Sequence, residues 1–233
     1  LAMSGLLIIL PWATQRATKP KAMTDLGTFV NLDAHPITDS AYQNDCAAAL
    51  ARDGVLLLPD FLNADTIASL VAEAEAHQGD AYYTAAPHNV YLTPPDPSLP
   101  ADHVFNRQVT SSKGCITTDQ VPEGSALHHL YDSAAFQGFV AKIVGEDLLY
   151  KYADPLAGIN VHYAGDGQEL GWHFDNSKFA ITLLLSAPDA GGRFEYVRDL
   201  RDADAGEMNF DGVAAVLDGE APVSHLDIQP GTL

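Results

Sequence analysis

The chain has 233 residues, 47% of them hydrophobic, so it can bury a full core and is predicted to form one domain. Its 12 Lys and Arg against 31 Asp and Glu give a formal net charge of −19. A surface this acidic repels phosphate backbones and anionic lipids, so nucleic acid and membranes are not expected partners. A small-molecule substrate is expected instead, and the oligomeric state is not predicted.

The two cysteines, Cys46 and Cys115, lie far apart and show no CxxC spacing for zinc or redox chemistry. They are predicted to be free thiols in a reducing compartment, which favours the cytoplasm, although a disulfide between them stays open at this point.

Residues 1–13 form an apolar run that resembles the hydrophobic part of a signal peptide but is shorter than the ~20 residues that span a bilayer. Two interpretations compete: a clipped signal, or translation that begins upstream of a true start at Met23. Either one predicts that residues 1–22 are a non-fold extension and that the domain covers residues 23–233.

The first predicted elements are two helices with a strand between them. Residues 39–50 are rich in alanine and are followed by Gly54, a typical helix stop. Residues 55–58 predict a buried strand, and Asn63 predicts the N-cap of the second helix.

Prolines dominate residues 81–124, which are predicted to form a long loop that acts as a lid or binding wall. A third helix is predicted over residues 127–144. Short strands are then predicted at 148–152, 158–163, 172–175, 179–186, 193–197 and 223–228. This order predicts an α+β fold in which the strands form a cupin-like jelly roll, a double-stranded β-helix, with the N-terminal helices packed on one sheet.

The most informative motif is Gly171-Trp172-His173-Phe174-Asp175-Asn176. In a strand, side chains two residues apart point to the same face, so His173 and Asp175 can act together. An imidazole and a carboxylate are two of the three ligands of the facial triad in non-haem Fe(II) oxygenases. His173 and Asp175 are therefore the predicted metal ligands and catalytic residues.

The order Asn160-x-His162-x(10)-His173-x-Asp175-x(15)-Gly191-Gly192-x-Phe194-Glu195-Tyr196 resembles the Fe(II)/2-oxoglutarate-dependent oxygenases. The resemblance is closest to the subfamily of free-amino-acid hydroxylases and halogenases. It implies Fe(II) as cofactor, 2-oxoglutarate as co-substrate, dioxygen as oxidant and hydroxylation of an unactivated C–H bond. The halogenating relatives replace the carboxylate ligand by a small residue, so Asp175 implies a hydroxylase.

The same resemblance implies roles for five further residues. Asn160 and His162 would help to hold 2-oxoglutarate, while Trp172, Asn176 and His88 would face the substrate. Ordinary structural roles compete with each of these: a core tryptophan, an asparagine in a turn, a hydrogen-bonded strand histidine, and a histidine that anchors its loop.

The family's distal histidine and its 2-oxoglutarate-binding arginine follow a Pro-Gly-x-Leu turn, which here is Pro230-Gly231-Thr232-Leu233. No Lys or Arg follows Arg201, and His225 lies on the strand before the turn. The sequence therefore predicts a fragment of low activity whose last strands lie beyond Leu233. Two alternatives stay open: a catalytically silent jelly-roll binding module that keeps part of a metal site, and a hydrolase, although no Gly-x-Ser-x-Gly nucleophile elbow occurs.

Overall fold

The computed structural model describes residues 5–10, 12–13, 26–188 and 191–233. Its strands are β1 Gly5–Ile9, β2 Trp12–Ala13, β3 Tyr82–Asn89, β4 Gln108–Thr117, β5 Tyr150–Lys151, β6 Asn160–Ala164, β7 Thr182–Ser186, β8 Phe194–Tyr196 and β9 Ser224–Leu226. Five of them form an antiparallel sheet in the order β3-β4-β6-β1-β7, while β2 pairs with β5 and β8 pairs with β9.

The α-helices in the described part are α1 Ser40–Asp53, α2 Ala64–His77, α3 Ala126–Asp132, α4 Ala134–Val144 and α5 Phe210–Leu217. The first two begin and end much as predicted. Asp39 caps α1 by accepting a hydrogen bond from the Tyr42 amide, and Gly54 ends the helix with a φ of 71°. Asn63 caps α2 through the Thr66 amide.

The two faces of the sheet have different surroundings. Val161 and Tyr163 of β6 belong to the main hydrophobic core, together with residues of α1 to α4. Because side chains alternate along a strand, His162 points to the opposite face. On that second face Leu7 and Leu184 pack against Phe194 and Ile228, so the β8-β9 ribbon covers part of it. Residues of the N-terminal helices α1 and α2 therefore share the core on the first face of the sheet.

The fold class is confirmed in its coarser form, α+β with an antiparallel sheet and helices. The five-stranded sheet does not close on itself within the described residues. Its free edge at β7 is met by the Pro-Gly-Thr-Leu turn, where the Gly231 amide donates to the Leu184 carbonyl and the Leu184 amide donates to the Thr232 carbonyl.

Several local predictions were wrong. Residues 81–124 contain the paired strands β3 and β4 rather than one long loop. The helix expected over 127–144 is broken at Ser133, which ends α3 and caps α4. Residues 55–58 are not a strand, although Leu58 exchanges two backbone hydrogen bonds with Leu233. Helix α5, capped by Asn209, was not predicted.

The N-terminal segment also differs from expectation, because β1 lies inside the sheet between β6 and β7. Ile8 and Leu10 are completely buried, so residues 5–10 are part of the fold and not an extension to it. Residues 12–13 of the expected extension form β2, which pairs with β5. Residues 1–4, 11 and 14–22, and the expected start at Met23, lie outside the described residues. None of the described helices is long and apolar enough to cross a membrane. Cys46 and Cys115 are confirmed as free thiols.

Replacing Ile8 with alanine tests the placement of β1. The side chain is 0% exposed in the main core, so we expect the free energy of unfolding to fall by about 2–5 kcal/mol. Leu148→Ala is the control, because Leu148 is 55% exposed and its truncation leaves no cavity. Denaturant unfolding measures both variants, and equal, small effects would contradict the assignment of β1 to the core.

Candidate metal site on the second face of the sheet

The His173 segment is held to the sheet by backbone hydrogen bonds. The Ser112 amide donates to the Glu169 carbonyl at 2.7 Å, and the Phe174 amide donates to the Val90 carbonyl at 2.8 Å. Between these two points the Gly171 amide donates to Ser111 Oγ at 2.9 Å. The residues expected to be a strand, 172–175, are thus an irregular segment whose position is fixed by β4 and by the end of β3.

Only glycine fits at position 171, because the backbone of the segment there lies very close to β4. A Cβ atom at position 171 would lie 2.8 Å from the Thr110 carbonyl oxygen and 3.0 Å from a methyl group of Val109. Real Cβ atoms do not come this near to a backbone oxygen, so any larger residue must push the segment away from β4.

The His173 ring is oriented by the same segment. Its Nδ1 lies 2.8 Å from the Gly171 carbonyl oxygen, which can only accept, so Nδ1 carries the proton and donates. The lone pair of neutral imidazole is then on Nε2. Nε2 lies 3.4 Å from Oδ1 of Asp175, and the side chains of His173 and Asp175 are 23% and 56% exposed.

These positions suit a metal ion. Two ligands at right angles on one ion, each about 2.1 Å from it, are about 3.0 Å apart, close to the observed distance. A histidine ligand usually donates its other ring N–H to a carbonyl or carboxylate, as His173 does to Gly171. In the absence of metal, the hydrogen bond to Asp175 raises the pKa of His173, while burial opposes that rise.

A third ligand does not accompany the pair in the part of the chain that the structure describes. No group of three His, Cys, Asp or Glu side chains there could hold a metal ion. His225 is exposed on β9, opposite Glu195 of β8. The described residues therefore bring together two candidate ligands, His173 and Asp175.

His88 lies next to the His173–Asp175 pair, but both of its ring nitrogens are hydrogen-bonded to other residues of the protein. Its ring is 6.2 Å from that of His173, in an edge-to-face arrangement. Nδ1 lies 2.9 Å from the Asn89 carbonyl oxygen and Nε2 lies 2.7 Å from Ser111 Oγ. Because the Asn89 carbonyl can only accept, Nδ1 donates to it, and Nε2 of the neutral ring accepts from the Ser111 hydroxyl. The Gly171 amide donates to the same Ser111 oxygen, so His88 braces the segment that carries His173.

His162 lies on β6 on the second face of the sheet, where it is 8% exposed. Its Nδ1 is 2.9 Å from Nζ of Lys113 on β4, which donates the hydrogen bond. Burial, and to a smaller extent the positive charge of Lys113, lowers the pKa of His162 to about 3. His162 is therefore a neutral acceptor at physiological pH.

The other three predicted residues lie in different surroundings. Asn160 donates to the Ala157 carbonyl at 3.2 Å and lies 3.9 Å from the thiol of Cys115, so its amide is anchored within the sheet. Trp172 is partly buried against the cluster formed by Val90, Tyr91 and Val213. Asn176 follows Asp175 and is exposed.

A cavity of about 940 Å³ opens beside His173 and Asp175, and this volume lies in the upper part of the range typical of small-molecule sites. His173, Asp175 and Trp172 line it at one side. Most of the remaining wall is apolar, from β7, the β8-β9 ribbon and the end of α4. The structure thus brings together an apolar chamber and an imidazole–carboxylate pair.

Two features of the site were not predicted. Lys113 and Ser111 belong to β4, which was not predicted because prolines dominate the residues around it. Arg201 places its guanidinium 4.1 Å from the ring centre of Phe174, the residue between the two ligands. Only the fold could reveal that contact.

Comparison with known families gives one match: the model of the family described as halogenase D covers residues 107–233, more than half of the chain. The matched part contains His173, Asp175, His162 and Lys113. Comparisons with curated proteins and with solved structures gave no match.

Replacing Gly171 with alanine tests the anchoring of the ligand segment. The new methyl group collides with the Thr110 carbonyl, so His173 should shift and the affinity for Fe(II) should fall by about 10–100-fold. Gly124→Ala is the control, because nothing lies within 4 Å of a Cβ there. Anaerobic Fe(II) titration measures both, and an unchanged affinity in Gly171→Ala would show that the close approach does not position the ligand.

Because His162 is buried in its neutral form, we expect the free energy of unfolding to decrease at acidic pH. Its folded pKa of about 3 lies below the ordinary 6.5, so between these values the unfolded chain binds a proton that the folded chain excludes. Stability is fully present above pH 6.5 and falls by up to about 1.4 kcal/mol per pH unit as the pH decreases toward 3. His162→Asn should flatten this part of the profile, whereas His225→Asn should leave it unchanged. Urea unfolding across the pH range gives the slopes, and identical slopes in wild type and His162→Asn would refute the assignment.

Proposed function

The chain belongs to the halogenase D family, and we propose that it is an Fe(II)- and 2-oxoglutarate-dependent oxygenase that hydroxylates a C–H bond of a small molecule of the free-amino-acid class. The observation that carries this proposal is the pairing of His173 Nε2 with the Asp175 carboxylate at 3.4 Å, beside a cavity of small-molecule size. With iron and 2-oxoglutarate bound, the site would couple the oxidative decarboxylation of 2-oxoglutarate by dioxygen to oxidation of the substrate.

His173 and Asp175 would hold the metal, one with a neutral nitrogen and the other with a carboxylate oxygen. The Gly171 carbonyl fixes the tautomer of His173, because it accepts the proton on Nδ1 and leaves Nε2 free to coordinate. No proton transfer within the His173–Gly171 pair is needed for binding, but any proton on Nε2 must leave first. The raised pKa of His173 means that Fe(II) competes with this proton, so metal binding should weaken as the pH falls.

Asp175 supports hydroxylation over halogenation. A halide can join the metal only where a protein ligand is replaced by a small residue, and here a carboxylate occupies that position in the motif. The side chain is more than half exposed, and its oxygen lies 3.4 Å from Nε2 of His173, so it is free to turn toward a metal held by that nitrogen.

The cavity suits the substrate class. Trp172 and the apolar residues of β7 and the β8-β9 ribbon would exclude water from the reacting carbon. We further propose that the second face of the sheet, with the β8-β9 ribbon above it, is the interior of a jelly roll. The free thiols of Cys46 and Cys115 support a reducing compartment such as the cytoplasm.

A catalytically silent binding module is the second candidate, and one observation favours it. The described residues provide two metal ligands and no third. Such a module would keep the cavity and its apolar walls but would show no metal-dependent binding or consumption of 2-oxoglutarate.

Replacement of the two ligands tests the proposed chemistry. We expect Fe(II) and 2-oxoglutarate to give a visible charge-transfer absorption without oxygen, and succinate when air and a mixture of free amino acids are added. His173→Ala and Asp175→Ala should lose the absorption and at least about 90% of the succinate, because each removes a ligand. The measurement is made on the 233-residue chain and on the full reading frame that encodes it.

The matched control is His225→Ala, which removes an exposed histidine of β9 and should behave as wild type. Mass spectrometry of the amino acids should show the gain of one oxygen atom. A chlorinated product in the presence of chloride would contradict hydroxylation. Absence of both metal-dependent binding and succinate in the full reading frame would favour the silent module.

A further inference from the structure

Lys113 is a partly buried cation on the second face of the sheet. It lies on β4, two residues before Cys115, which pairs with His162 of β6, so the side chains of positions 113, 115 and 162 share one face. The Lys113 Nζ atom donates to His162 Nδ1 at 2.9 Å. Burial lowers the pKa of the Lys113 ammonium, and the charges of Cys115 and Asp175 act against that decrease.

No carboxylate of the described residues forms an ion pair with Lys113, although the chain has 31 Asp and Glu against 12 Lys and Arg. An ammonium has three N–H donors, and His162 accepts from one of them. Since His162 is neutral, it satisfies a donor without balancing the charge. A partly buried charge with no ion-pair partner at contact distance among the described residues is costly, so this arrangement favours an anion from outside the chain.

We propose that Lys113 binds a carboxylate group of a small molecule held beside the His173–Asp175 pair. The proposal rests on the proposed function, because that function supplies two molecules with a carboxylate: 2-oxoglutarate, through its distal carboxylate, and a free amino acid. The chemistry recognised is the same in both, a single carboxylate accepting a charge-assisted hydrogen bond from Nζ.

Other cations near the site are less suited to this role. The Arg201 guanidinium is stacked on Phe174, at 4.1 Å, and lies 6.0 Å from the centre of the Tyr91 ring. Lys178 is 76% exposed and lies 3.8 Å from Glu146, which already provides a negative charge. Lys113 combines partial burial, a fixed position and the absence of an ion-pair partner among the described residues.

His162 would act as a positioning residue for this contact. Its Nδ1 accepts from Nζ and so fixes the direction of the remaining two N–H groups. A carboxylate at position 162 would instead neutralise the ammonium and remove the reason for it to bind a ligand. Because His162 is a neutral acceptor, the positive charge of Lys113 is not neutralised and can bind a carboxylate.

Paired ligands that differ by one carboxylate test the proposal. The first pair is 2-oxoglutarate and 2-oxopentanoate, bound to the Fe(II)-loaded protein without oxygen. The second pair is glutarate and pentanoate, bound to the protein in EDTA and followed by nuclear magnetic resonance, which needs no metal. The third pair is a free amino acid and the corresponding amine that lacks the carboxylate, and it is measured for each amino acid in turn.

Wild type should prefer the carboxylate-bearing member by about 10–100-fold in at least one pair, the range expected for a hydrogen bond to a charged group. Lys113→Met should lose most of that preference and Lys113→Arg should retain much of it. Lys178→Met, which removes the same charge three residues from Asp175, should keep the wild-type preference. Thermal unfolding of each variant checks that Lys113→Met remains folded.

The ligand pair whose carboxylate preference is lost in Lys113→Met identifies the ligand that Lys113 binds. Loss of preference in the first or second pair assigns the carboxylate to 2-oxoglutarate, and loss in the third pair alone assigns it to the amino acid. A folded Lys113→Met that keeps every wild-type preference overturns the proposal. A Lys113-dependent preference for glutarate in a protein that binds no Fe(II) would support this inference while refuting the proposed oxygenase.

Discussion

The arrangement of the site depends on one close contact, the approach of the Gly171 backbone to strand β4. The Gly171 amide reaches Ser111 Oγ and the Gly171 carbonyl receives the proton of His173 Nδ1, so one residue connects the sheet to the ring. A side chain at position 171 would collide with the Thr110 carbonyl. The orientation of His173, its tautomer and its distance from Asp175 all follow from this contact, because the segment has no regular secondary structure to hold it.

Electrostatics of the second face adds a separate constraint. In a chain with a net charge of −19, the sheet places a lysine and a neutral histidine side by side rather than a lysine and a carboxylate. The nearby His173–Asp175 pair combines a neutral ring with a negative carboxylate, and a divalent metal bound there, as we propose, would make the local net charge positive. An anionic co-substrate would then be attracted both by the metal and by Lys113, whereas the acidic surface elsewhere would repel it.

Local signals in the sequence predicted the elements whose boundaries are set by one or two residues. Asp39, Gly54 and Asn63 act through their own backbone neighbourhood, so the ends of α1 and α2 were predictable. Pro87 misled the interpretation of residues 81–124, because proline weakens the prediction of a strand. The structure tolerates it since β3 is an edge strand, where a missing amide donor costs little.

The site itself was predictable only in part, for a similar reason. The spacing of His173 and Asp175 is visible in the sequence, but the contacts that orient them join residues far apart in the chain. Ser111 and Gly171 are 60 residues apart, and Lys113 and His162 are 49 apart. No periodicity indicates such pairs before the register of β4 and β6 is known. His88 was expected to face a substrate or to anchor its loop, and its two hydrogen bonds favour the anchoring role.

The part of the chain matched by the family model does not hold this site by itself. Phe174 is hydrogen-bonded to Val90 at the end of β3, which precedes the match at residue 107. Strand β1 separates β6 from β7 and pairs with both, so Leu7 lies opposite His162 on one side and Leu184 on the other. If β1 left the sheet, β6 and β7 would each lose a ladder of hydrogen bonds, and the apolar contact between Leu7 and Leu184 beneath the β8-β9 ribbon would be lost with it. The position of His162, and through it that of Lys113, therefore depends on a segment near the N-terminus that motif comparison does not include.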